Sequence, residues 1–151
     1  MSGLTNIYVN KILKKYCNDF KGVFSSNNIN FALCGKKKFS IVCNLAKKEE
    51  QGTHFITIIA NEIYIFYIDS YGIPCTNFDI SRFMHECKRE IIYNSKQIQH
   101  EKSFFCGYYS ILFVLINDKA IPKSKKPILK FSNNLLKNDK KCINYILKMI
   151  I

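Results

Sequence analysis

The sequence predicts an α+β fold in which a central, mostly antiparallel sheet packs against helices. Three observations carry this. The periodic segments run in the order helix, strands, helices. Two β-branched, aromatic-rich runs, residues 54–60 and 63–68, are separated only by Asn61-Glu62 and read as an antiparallel hairpin. The stretch 106–117 is nearly continuous apolar sequence of helical length, as expected for a helix buried against a sheet. With 151 residues, no internal repeat and no low-complexity linker, the chain reads as one domain, 1–151.

Each element follows in order. Residues 7–16 interleave Ile7, Ile12 and Leu13 with Lys11, Lys14 and Lys15, which predicts an N-terminal helix. The Asn-rich stretch 17–30 reads as irregular. A strand is expected over 39–45, after the Lys36-Lys37-Lys38 run, and Gly52 precedes the stronger strand 54–60. Asp69-Ser70-Tyr71-Gly72-Ile73-Pro74 ends the hairpin with turn chemistry. Asp79 is the expected N-cap of a helix reaching about Arg89, with Phe83 and Cys87 on one face. Residues 91–99 read as extended. Tyr109, Leu112, Phe113 and Ile116 recur at helical spacing within 106–117. Pro122 and Pro127 break the chain into a basic surface stretch, and Leu135-Leu136 with 142–150 predict one or two closing helices.

Composition excludes several classes. A hydrophobic content of 48% is too high for wholesale disorder. No apolar run approaches the ~18 residues that cross a bilayer, and residues 1–16 lack the apolar core of a signal peptide. A soluble protein of the cell interior, without a membrane partner, is therefore expected. The net charge of +12 favours polyanions such as nucleic acid. All but two of the basic residues are Lys, however, and the abundance of Ile and Asn fits an AT-rich genome, so codon bias is an equal explanation. Seven cysteines without a Cys-x-x-Cys pair argue against a zinc ribbon or a thioredoxin-type site, and no metal is called for.

Chemistry concentrates at four residues. His54 begins one hairpin strand and Asp69 ends the other, so the two meet at one end of the hairpin. An Asp that holds a His in one tautomer is the orienting arm of a catalytic triad. Cys106 opens the apolar helix, where the partial positive charge of the helix N-terminus and a nearby protonated His favour a thiolate. Gly107 would clear space for a substrate carbonyl. Gln99 supplies a neutral amide donor suited to an oxyanion hole. His85 and His100 read as surface residues, Glu62 as a turn residue.

The ordered set His54, Asp69, Gln99 and Cys106-Gly107 resembles the adenain and Ulp1 group of cysteine proteases, nearer to the adenovirus maturation protease than to the SUMO-specific branch. The seven-residue Gln99-to-Cys106 spacing, Gly52-Thr53-His54-Phe55 and Asp69-Ser70-Tyr71-Gly72 carry the likeness. Phe55 stands where the family usually has Trp, and the acidic residue is Asp, as in the Ulp1 branch.

The resemblance implies a cysteine endopeptidase. Cys106 would be the nucleophile, His54 the base and Asp69 its orienter, with Gln99 and the Cys106 backbone N–H binding the oxyanion. It implies viral capsid or core precursors as substrates, cut at small-residue, Gly-containing sites, for a DNA virus, virophage or Polinton-type element, inside the virion and the host cell. No cofactor is required for the chemistry. DNA and an activating peptide are candidate activators; Cys87 lies roughly where the adenovirus enzyme bonds such a peptide, although a buried inert thiol is the simpler expectation. The stretch 119–148, with nine Lys and one acidic residue, would attract DNA without sequence preference. A monomer is expected. The rivals are an effector that removes ubiquitin or SUMO through the same site, an acetyltransferase of the same structural group, and a basic nucleic-acid-binding protein without catalysis.

Overall fold

Four helices and a five-stranded sheet make up the residues that the computed structural model describes, 3–49, 52–117 and 131–150. The order is α1 (Asn6–Tyr16), β1 (Phe20–Ser25), a short 3-10 helix (Phe31–Gly35), β2 (Phe39–Asn44), β3 (Phe55–Ala60), β4 (Tyr64–Ile68), α2 (Phe78–Glu86), β5 (Glu90–Tyr93), α3 (Cys106–Asn117) and α4 (Leu135–Ile150). The strands lie in sequence order. β3 runs antiparallel to both β2 and β4, while β1 and β5 join the edges parallel to their neighbours.

The sheet separates two apolar layers. On one face α1, α3 and α4 pack over Phe20, Val42 and Phe55, with α3 lying along β3. Ile41, Cys43, Ile56, Ile58 and Ile65 point to the other face, where α2 and the 3-10 helix cover them through Leu33, Ile80, Phe83 and Met84. Alternation along β3 thus feeds both cores, which explains a strand whose six residues are almost all buried. α3 is buried nearly all round, in keeping with its lack of a polar stripe.

Several expectations need correction. The stretch 17–30 is not irregular throughout: it holds β1, whose Gly, Lys and Ser residues hide a strand that exists because β2 and α1 flank it. In α1 the core residue of the first turns is Val9, while Ile7 points to solvent. α2 is capped by Asn77, whose side chain accepts from the Ile80 N–H at 3.0 Å; Asp79 sits inside the first turn instead. Extended structure after α2 is confined to β5, and a single helix, α4, closes the described chain. The Pro122 and Pro127 stretch, and the 119–130 part of the Lys-rich segment, lie outside the described residues. No helix among the described residues is long and apolar enough to cross a membrane.

Candidate active site

His54 and Asp69 meet because of strand register. Thr57 of β3 faces Ile68 of β4, and continuing that antiparallel pairing brings His54 opposite the turn that follows Ile68. There His54 Nε2 lies 2.9 Å from Asp69 Oδ1, and the imidazole stacks on the Tyr71 ring with centroids 4.8 Å apart. Asp69 is itself held on every side. Its Oδ1 also accepts from the Tyr71 N–H, and its backbone N–H donates to Asn94 Oδ1 while its carbonyl accepts from Asn94 Nδ2. The turn closes through Gly72, which has φ +70 and lies so near Lys96 that an added Cβ would sit 2.7 Å from the Lys96 carbonyl carbon. Only glycine fits that backbone and that contact.

Asn44, at the end of β2, fixes the other flank. It pairs with Phe55 across the sheet, and its Oδ1 accepts from the Ala46 and Thr53 N–H groups. Gly52 passes so close that a Cβ would meet the Asn44 amide nitrogen at 2.5 Å. The segment leading into His54 is therefore pinned from both sides.

Cys106 is the first residue of α3 and opens on a cleft of about 660 Å³ shared with His54, Tyr71, Asn44 and Ser103. Residues 3–6 form a further wall of that cleft. With Nε2 given to Asp69, the other ring nitrogen, Nδ1, is the one left to serve the Cys106 thiol, which shares the cleft with the imidazole. Burial alone would lower the His54 pKa. Hydrogen bonds to Asp69 and Cys106, and the negative charge of both, outweigh it and push the imidazole up to about 9. A protonated imidazole lying between a carboxylate and a thiol can stabilise a thiolate and later give up a proton. Burial instead pushes up the thiols of Cys43, Cys75, Cys87 and Cys142, which makes them poor nucleophiles.

The structure thus brings His54, Asp69 and Cys106 together, and sets Gln99 behind them. Gln99 is fully buried and does not line the cleft. Its Oε1 accepts from Ser70 Oγ, and its Nε2 donates to the Ser103 carbonyl and hydroxyl, both at 3.0 Å, and to the Tyr71 hydroxyl. Its backbone N–H is tied to the Ser70 carbonyl. The amide expected at the oxyanion is therefore one side chain removed from the cleft, with Ser103 in front of it. Gly107 has a different role from the one anticipated. It faces Leu4 and Phe55, where a Cβ would lie 3.1 Å from Leu4 Cβ, so it lets α3 pack on the sheet rather than admitting a carbonyl.

Other residues fall away from the cleft. His85 bonds to the Ser81 carbonyl one turn earlier in α2, and the His100 N–H donates to Asp139 of α4. Cys87 Sγ lies 2.7 Å from Cys34 Sγ, on the α2 side of the sheet. Sequence reasoning missed Asn44, Asn94 and Ser103. Asn44 had one usable signal, a polar residue at the end of an otherwise apolar strand; Asn94 and Ser103 had none.

Fold and site together give an α+β protein, a mixed sheet flanked by helices, with Cys106, His54 and Asp69 gathered at one end of the sheet. Among solved structures the chain is similar to the pS273R protease of ASFV, with a TM-score of 0.52 and 18% identity over 75% of this chain. It spans 57% of the length of that protease. It is also similar to the central domain of the Lpg1148 protein from Legionella pneumophila, with a TM-score of 0.55 and 10% identity over 97% of this chain and 99% of that one. No protein-family profile matches the chain. No curated protein matches it either.

Proposed function

We propose that the chain is a cysteine endopeptidase that cuts viral capsid or core precursors at small-residue, Gly-containing sites during virion maturation. The observation that carries this is His54, bonded to Asp69 at 2.9 Å, sharing one open cleft with Cys106 at the start of a buried helix. The likeness in fold to a viral protease supports the same reading.

The Cys106 thiolate adds to the scissile carbonyl carbon, and the carbonyl π pair moves to oxygen. The resulting oxyanion lies at the N-terminus of α3, where the Cys106 N–H has no carbonyl of its own helix to bond. His54, protonated at neutral pH, gives its proton to the departing amine as the C–N bond breaks. Water then adds to the thioester, with His54 taking its proton, and the acid product leaves as the thiolate re-forms. Asp69 keeps the imidazole in place through both halves.

The chemistry needs no cofactor. DNA, drawn without sequence preference to the Lys-rich surface, and a peptide are the proposed activators, and the protein acts as a monomer. Co-expression with a capsid precursor from the same genome, read by mass spectrometry, tests the proposal. Cleavage after Gly-containing sites that stops in Cys106→Ala is expected. Cleavage of fluorogenic ubiquitin or SUMO instead would reassign the substrate, and salt-sensitive DNA binding that survives Cys106→Ala without any cleavage would reassign the class.

A further inference from the structure

We propose that Cys34 and Cys87 are a disulfide-forming pair, an oxidation-dependent cross-link that ties the 3-10 helix to the end of α2. Their sulfur atoms lie 2.7 Å apart. A disulfide closes at about 2.05 Å, so less than an ångström of approach remains. Both backbones are independently pinned at this spacing. Cys87 is the C-cap of α2, and its N–H donates to the Phe83 carbonyl at 3.3 Å. Cys34 sits in the 3-10 helix, which Asn30 caps by accepting from the Ala32 N–H at 3.0 Å. Arg89, two residues beyond Cys87, donates to the carbonyls of Cys34, Lys36 and Asn61 and so fastens the chain after α2 to the 3-10 helix. Across the same seam the Phe31 ring meets Phe83 edge-on, with centroids 5.5 Å apart.

The two thiols are unequal, which orders the chemistry. Cys34 is partly exposed, whereas Cys87 is buried. Burial, then the neighbouring Cys34, pushes the Cys87 thiol well above its ordinary range, while the Arg89 guanidinium works the other way. Cys34 is therefore the thiol that meets an oxidant, and Cys87 the one that resolves the product. With glutathione disulfide as oxidant, the Cys34 thiolate attacks one of its sulfurs. A Cys34–glutathione bond forms, the glutathione S–S bond breaks, and one glutathione leaves. Cys87 then gives up its proton and its sulfur attacks Cys34 Sγ. The Cys34–Cys87 bond forms and the second glutathione leaves. Two protein thiols have lost two electrons and two protons, and glutathione disulfide has become two glutathiones. A thiol already in contact wins that second step over one arriving from solution.

In a reducing compartment the pair rests as two thiols, and it closes where the glutathione pool is oxidised. The cross-link encloses residues 34–87, which carry β2, β3 and β4 and with them His54 and Asp69. Cys106 lies outside that loop and packs on the opposite face of the sheet. Oxidation thus staples the hairpin side of the molecule by restricting the unfolded chain, without touching the thiol in the cleft.

The test uses the full chain carrying Cys106→Ala, so its outcome is independent of the peptidase reading. After equilibration with excess glutathione disulfide and alkylation by iodoacetamide in denaturant, Cys34 and Cys87 should stay unalkylated and appear in one joined peptide that dithiothreitol separates. The melting midpoint of this form should exceed that of the reduced form by about 5–15 °C. Adding Cys34→Ala or Cys87→Ala should abolish the rise, and the first, at the partly exposed position, serves if the second fails to fold. Glutathione retained on Cys34 with Cys87 alkylated, a bridge from either residue to another cysteine, or an oxidised form that melts no higher than the reduced one would overturn the proposal.

Discussion

The His54 side and the Cys106 side of the cleft hold their side chains in place by different means. His54 and Asp69 are fifteen residues apart and belong to one hairpin, so backbone register sets their distance and the Asn94 clamp refines it. Cys106 arrives from the far end of the chain on α3, whose position depends on packing against α1, α4 and β3. Its approach segment is fastened by scattered polar bonds: Tyr109 and Asn138 to the Ile98 carbonyl, Asp139 to Tyr109 and His100, and Gln99 to Ser103. A local device tolerates change elsewhere in the fold. A tertiary one depends on many contacts at once, and it is the side where a substitution far from the thiol reaches the chemistry.

The sharpest break comes from the reacting groups. Cys106→Ala and His54→Ala should each lower peptidase turnover by at least about 10³-fold, measured on whichever precursor is cut, with the folded state retained. On the base side, Asp69→Asn should cost about 10²–10⁴-fold in kcat through loss of the correct tautomer. It should also lower the pH at which His54 gives up its proton, as followed by NMR titration of the imidazole.

The raised His54 pKa has a stability counterpart. The folded value of about 9 exceeds the ordinary 6.5, so the folded state binds the proton more tightly. That contribution is complete below about pH 6.5 and is lost as pH rises through about 9. Urea titrations should find it falling by an amount on the order of 1–3 kcal/mol across that window, and His54→Ala should remove the dependence. Gly72→Ala should destabilise the protein by roughly 1–3 kcal/mol, because positive φ and the Lys96 contact act together. The smallest effect separates the two candidate caps of α2. Asn77→Ala should cost about 1 kcal/mol and Asp79→Ala only a few tenths, read from midpoints of thermal melts.

The same contrast explains what the sequence disclosed. The hairpin was legible because its two strands are adjacent and its turn is short, and the juxtaposition of His54 and Asp69 followed from counting residues. α3 was legible as an element because twelve largely apolar residues at helical spacing admit few other forms. Its surroundings were not. The position of Gln99 depends on a Ser70 hydroxyl and a Ser103 carbonyl that come together only in the folded chain, and neither residue type signals it. β1 was hidden for a related reason: its strand character comes from pairing with β2 and cover from α1, not from its own composition. Gly107 was singled out correctly as special but for the wrong contact, since the packing of Leu4 and Phe55 against it is a tertiary fact.

The central claim is that Cys106 and His54 form one reactive pair. Alkylation of the native protein by iodoacetamide between pH 5 and 9, resolved cysteine by cysteine, tests it most directly. Rapid labelling of Cys106 alone at the acid end, lost in His54→Ala so that labelling appears only near the ordinary thiol range of about 8.5, is the predicted result. Labelling of Cys106 no faster than that of Cys17 or Cys142, with and without DNA, would contradict it.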